Sequence, residues 1–174
     1  MSKFRKETNL LLRALQNGNK SKFDELYLFT FDHIKGMALK YLIDKTEWKD
    51  VVNQTYLQVL QHIQTFDNSK DGYNWMCKIA HNVALDFNKN KAVTVESDDS
   101  FNDVFVYMED KILESCDLYH ELSLLSRKDQ ELIWLRFWEE LNYNEIARRV
   151  NSKKSTVHFR ISKILKTIET NLKK

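Results

Sequence analysis

No proline interrupts this chain, and its 174 residues include only 3 glycines. So little punctuation, with few alternating β-branched runs, predicts helices joined by short polar turns and hence an all-α fold. The 2 cysteines, Cys77 and Cys116, are too few and too unpatterned for a disulfide framework, which fits a reducing compartment. No stretch approaches the roughly 20 apolar residues of a membrane span, and the opening MSKFRKETN lacks an apolar signal core. These absences predict a soluble, cytoplasmic protein without membrane insertion. Ligand clusters are missing too. Cys77 and His81 stand at i and i+4, but no second pair supports them, so neither metal nor cofactor is expected. Asp67 and Asp71 share a loop without an acidic partner motif, which argues against a metal-dependent nuclease and for no catalytic residue.

What is present is unevenly distributed. The net charge of +2 names no partner, yet residues 1–92 hold 14 basic against 10 acidic groups, 93–121 hold 1 against 9, and 122–174 hold 12 against 6. Basic faces recruit phosphate by releasing counterions, whereas an acidic segment is repelled by DNA and stays solvated. The pattern fits two DNA-binding modules, residues 1–92 and 114–174, joined by a flexible acidic tether over 93–113. Phe101, Val104, Phe105 and Tyr107 make that tether more apolar than an inert one requires, and Val104 to Tyr107 gives its one hint of a strand.

The first module is organised around Asp44 to Phe66. Asp44 with Glu47 predicts a capping box, and Trp48, Val52, Tyr56, Val59, Ile63 and Phe66 form a helical stripe to be buried. Asp50, Asn53, Gln54, Gln58, Gln61 and Gln64 make the opposite face one of amides rather than alternating charges. Before it, Leu10, Leu11, Ala14 and Leu15 predict a helix ending at Asn17-Gly18, and Ser21 with Asp24 starts a second that runs to Ile43. After it, the turn-rich loop DNSKDGY leads to a helix from about Asn74 to Lys91 with Trp75, Ile79, Val83 and Phe87 buried. Tyr73 is the stacking candidate for single-stranded DNA, with Lys70, Asn74, Lys78, His81 and Asn82 around it.

In the second module, Leu118, Leu122 and Leu125 close a short helix, and Ser126 with Asp129 caps another carrying Leu132, Ile133, Leu135, Phe137 and Trp138. Asn142 and Glu145 cap a third, and Ser155 a last one whose apolar face is Val157, Ile161, Ile164, Leu165 and Ile168. Two short helices around a tight turn, with Ala147 at the crossing, predict a helix-turn-helix. Its major-groove face would carry Lys154, Ser155, Thr156, His158, Phe159, Arg160 and Lys163, with Arg148, Arg149 and Lys153 near phosphates.

Both modules resemble bacterial RNA polymerase sigma factors, most closely the extracytoplasmic-function group. Asp50, Trp75, Ile79, Ala80, Asn82 and Asp86 stand in register with region 2 of that family, while Asn53, Gln54 and His81 depart from it. Leu141, Tyr143, Glu145, Ile146, Ala147, Thr156, Val157 and Arg160 match region 4. There Ser126, Glu140, Asn151, Ser152 and Ser155 replace the usual Pro, Gly, Gly, apolar residue and Gly, Ser152 at an expected cost in packing. The resemblance implies core RNA polymerase, through its beta-prime clamp and beta flap, and promoter DNA as partners, with an anti-sigma factor or another recruiting partner besides. It implies polymerase contacts at Asp50, Asn53, Gln54 and Leu57, minus-ten recognition by the first module and minus-thirty-five recognition by the second. The rival expectation is a free-standing helix-turn-helix regulator whose N-terminal bundle dimerises or senses.

Overall fold

Two compact units, Met1–Glu96 and Ser97–Lys174, make up the chain. The computed structural model describes residues 2–89, 91, 105 and 116–173, side chains 116 and 117 excepted, and every regular element among them is helical. None of these helices is long and apolar enough to cross a membrane.

In the first unit, α1 (Lys3–Gln16), α2 (Lys22–Tyr41), α3 (Trp48–His62) and α4 (Gly72–Asn88) pack around α2, which touches the other three. Ser2 caps α1 by accepting from the Arg5 amide, and the helix ends at Asn17 before Gly18, whose φ of 87° suits a residue without Cβ. Leu12 is fully buried where the sequence predicted Leu10, which is exposed, so the apolar face is rotated. Ser21 precedes α2 without a capping bond, its hydroxyl donating to Asn19 Oδ1 instead. The helix stops at Tyr41 rather than Ile43 because other groups take over its end. Lys45 Nζ donates to the carbonyls of Leu39 and Leu42, and Asn88 donates to Tyr41 O while accepting from Ile43 N.

The expected continuous helix from Asp44 to Phe66 is α3 flanked by 3-10 turns at Lys45–Glu47 and Ile63–Thr65. Asp44 caps the first turn through the Thr46 amide, but Glu47 does not reach back to complete a capping box; it pairs with Lys91. The Thr46 hydroxyl and amide hold the Asp44 carboxyl below its usual value, and Glu47 raises the Lys91 ammonium. Val51, Val52, Thr55, Tyr56 and Val59 form the buried side of α3, followed by Ile63 and Phe66. Trp48 is half-buried, with the ammonium of buried Lys35 4.4 Å from its ring centre. In α4 the core residues are Met76, Ala80, Val83 and Ala84; Trp75, Ile79 and Phe87 of the predicted stripe are only half-buried.

The second unit contains α5 (Cys116–Ser123), α6 (Arg127–Phe137), α7 (Tyr143–Arg149) and α8 (Lys154–Leu172), with α8 packed on all three others. Ser126 caps α6 through the Asp129 amide, and Asn142 and Glu145 form a complete capping box on α7. Buried Gln130 donates to the carbonyls of Leu122 and Ser123, tying the end of α5 to α6. Trp134 and Trp138 stack with centroids 5.3 Å apart, while Phe137, Leu118 and Leu165 lie exposed. Phe105, within the expected tether, is fully buried with its ring 5.5 Å from Trp138 and 6.4 Å from Trp134. A boundary near 114 therefore leaves out a core residue; the rest of the expected strand from Val104 to Tyr107 lies outside the described residues.

Candidate nucleic-acid interface

Each unit presents a polar face whose geometry follows from how its helix is anchored. On α3, burial of the inner side leaves Asp50, Asn53 and Leu57 exposed, Leu57 at 52%, with Gln54 half-buried beside them. Leu60 and Gln61 extend this face by one turn.

The loop before α4 combines local bonds with ties to α1. Asp67 accepts from the Ser69 hydroxyl at 2.7 Å and from its amide at 2.9 Å, which holds the Asp67 carboxyl below its usual range. Asp71 caps α4 by accepting from the Asn74 amide at 2.9 Å and pairs with Arg5 at 2.5 Å. Beyond it Asn74, Lys78 and Asn82 are exposed at intervals of four, and Lys70 stands one interval earlier, also exposed. They form one stripe of donors. His81 is half-buried with its ring 4.4 Å edge-on from Tyr41.

Tyr73 does not belong to this surface. It is 1% exposed, with Phe4 and His33 packed edge to face against it at 5.2 and 5.6 Å, so it cannot stack a base as the sequence predicted. Its position one residue into α4 turns the ring toward α1 and α2. The aromatic that does reach the surface beside the stripe is half-buried Trp75, whose ring lies 5.0 Å from that of Phe66.

In the second unit, α7 and α8 meet through a tight turn. Asn151 takes a left-handed φ of 48°, and the Ser152 amide donates to Ala147 O at 2.8 Å. Glu140, at φ 54°, is left-handed as well, so two of the three positions where the resemblance leads one to expect glycine retain that backbone with a side chain, while the third, Ser155, is helical. Ser152 is exposed rather than packed and so costs the core nothing. Lys153 is the N-cap residue of α8, and Ser155 lies inside its first turn instead of capping it. Val157, Ile161, Ile164 and Ile168 anchor α8. Lys153, Lys154, Ser155, Thr156, His158, Phe159, Arg160 and Lys163 are exposed around that seam, with Arg148 and Arg149 exposed at the end of α7.

Two of these arginines have acidic neighbours that sequence reading did not supply. Arg160 Nε donates to Asp129 Oδ1 at 2.5 Å, and Arg149 pairs with Glu139 at 2.6 Å. Partial burial pushes the Asp129 carboxyl up, but bonds from Arg160 and Ser126 outweigh it and leave it lowered. His158 sits edge-on to Tyr143 at 4.9 Å, and the Arg136 guanidinium lies 5.3 Å from the Tyr143 ring centre. No cluster of metal-ligating side chains occurs among the described residues.

Residues 31–93 match the family described as Sigma-70 region 2, and residues 117–168 match Sigma-70, region 4. The chain belongs to the sigma-70 family. It is a sigma factor of the extracytoplasmic-function type, a transcription initiation factor that recognises promoters. RNA polymerase sigma factor SigV of Bacillus subtilis is 28% identical over 139 residues, covering 79% of this chain and 83% of its own. ECF RNA polymerase sigma factor SigM of the same organism is 26% identical, over 83% of this chain and 93% of its own. A solved chain described as CnrH in complex with the cytosolic domain of CnrY aligns over 95% of this sigma factor and 96% of itself, at 19% identity and a TM-score of 0.47.

Proposed function

We propose that this sigma factor divides promoter recognition between its units and docks on core RNA polymerase through the outer face of α3. The exposed set Asp50, Asn53 and Leu57, with Gln54 at its edge, supports the docking face. One carboxylate, one apolar side chain and two amides on a rigid helix suit a partner that offers a basic group next to a small apolar pocket, the chemistry assigned here to the beta-prime clamp.

The stripe Lys70, Asn74, Lys78 and Asn82 takes the separated minus-ten strand, with lysines on its phosphates and asparagines on base edges. His81 borders it, and Trp75 replaces Tyr73 as the stacking aromatic. In the second unit α8 enters the major groove of the minus-thirty-five duplex. Ser155, Thr156, His158, Phe159 and Arg160 face base edges, while Arg148, Arg149, Lys153, Lys154 and Lys163 face phosphates. The beta flap as a second polymerase contact, and an anti-sigma or recruiting partner, complete the reading.

The observation that carries it is the exposed outer side of α3 opposite a fully buried inner side. Reversing its charge tests it. Asp50→Lys should abolish co-elution with core polymerase while the helical circular dichroism spectrum stays unchanged; normal co-elution would remove this face from the interface.

A further inference from the structure

One side of α1 is committed to a single task. Arg5 pairs with Asp71 at 2.5 Å. Asn9 donates to Lys70 O at 2.8 Å and accepts from the Gly72 amide at 2.7 Å. Gln16 donates to the carbonyls of Ile63 at 3.1 Å and Phe66 at 2.8 Å, and its side-chain oxygen accepts from Asn68. Positions 5, 9 and 16 fall on one helical face. Each of these bonds ends on the segment from Ile63 to Gly72 that leads into α4.

Gly72 supplies an independent sign of the same fit. A Cβ placed there would lie 2.4 Å from Leu12 Cδ1 and 2.8 Å from Asn9 Oδ1. The loop thus reaches α1 so closely that a side chain at this point would push aside the ends of the Leu12 and Asn9 side chains. Backbone carbonyls of a surface loop ordinarily turn to water, and loops move more than the helices they join. Here side chains of a neighbouring helix take several of them.

We infer that α1 is a splint for the loop, and that Arg5, Asn9 and Gln16 are positioning residues for minus-ten recognition although they touch no base. The inference rests on the reading of Lys70, Asn74, Lys78 and Asn82 as the strand-binding stripe. Lys70 and Asn74 sit at the loop's end and the first turn of α4, so a shift of the loop carries both out of register with Lys78 and Asn82. Base readout depends on donors and acceptors standing opposite their base edges, so loss of register at one contact is enough to cost about tenfold in discrimination.

The test compares Asn9→Ala, Gln16→Ala, Gly72→Ala and Arg5→Lys in the full chain bound to core polymerase. It reads initiation from a promoter selected with the parent protein against the same promoter carrying one substituted minus-ten base. Melting temperature and polymerase co-elution are followed alongside. The expected result is a fall of about tenfold in discrimination for Asn9→Ala, Gln16→Ala and Gly72→Ala, with co-elution retained and Arg5→Lys close to the parent. Asn82→Ala serves as the reference. If it loses discrimination and the α1 variants do not, the splint is overturned and the strand reading stands. If Asn82→Ala and Lys78→Ala also change nothing, both fall together. Parallel loss of discrimination, co-elution and melting temperature would reduce α1 to an ordinary structural helix and overturn the inference.

Discussion

Phe159 is 70% exposed in the second turn of α8, among side chains that are otherwise polar or cationic. A phenyl ring on a groove-facing surface has one base-specific partner, the thymine C5-methyl group. Replacing thymine by uracil, one position at a time through the upstream element, should weaken binding at one position by about 0.8 kcal/mol, roughly fourfold. Phe159→Ala should erase that difference; equal sensitivity in both proteins would remove Phe159 from the base contacts. Arg160 beside it is steadied by Asp129, whose carboxyl is held below the ordinary value of 3.8. A depressed folded-state value adds stability above the unfolded pKa, and this is lost as pH falls through the depressed one. Asp129→Asn should therefore melt lower than the parent at neutral pH and show a shallower decline between about pH 5 and pH 2. Parallel curves would show that the pair adds nothing. Neither Asp129 nor Glu139 is legible as an arginine partner in the sequence, because each lies at least ten positions from its arginine and meets it only through helix packing.

At the scale of elements, periodicity located the described helices but often misjudged which side faces inward. Leu10 and Leu12, or Trp75 and Met76, differ by one or two positions, and the choice between them depends on neighbouring helices that a single-segment pattern does not contain. Capping residues were more legible where the partner was local, as at Ser126 and Asn142, and failed at Glu47, which was taken by Lys91 from 44 positions away. The polar face of α1 carried a signal in retrospect: Arg5, Asn9 and Gln16 share one side with few acidic neighbours, opposite a loop rich in carbonyls. Phe105 was legible in part: with Phe101, Val104 and Tyr107 it marks the acidic segment as more than an inert tether, but nothing in that segment names the core it joins. Its ring fills space against Trp134 and Trp138, so Phe105→Ala should cost about 3 to 5 kcal/mol. Hydrogen exchange is the readout: protection should fall in α6 and α8 and stay unchanged in α1 to α4, whereas unchanged protection throughout would show the ring to be dispensable.

For the molecule as a whole, basic segments at residues 1–92 and 122–174 flank an acidic one at 93–121. In the proposed reading the factor holds separated strands and duplex while polymerase is attached, so affinity is shared among several weak contacts. The sigma reading thus makes free duplex binding weak and polymerase association strong; a free-standing helix-turn-helix regulator would show the reverse. The decisive measurement is co-elution of the chain with its host's core RNA polymerase, followed by transcription from a premelted template. Stable association with transcripts that core polymerase alone does not make is the predicted result. A folded protein that never joins the polymerase yet grips duplex DNA tightly would contradict it.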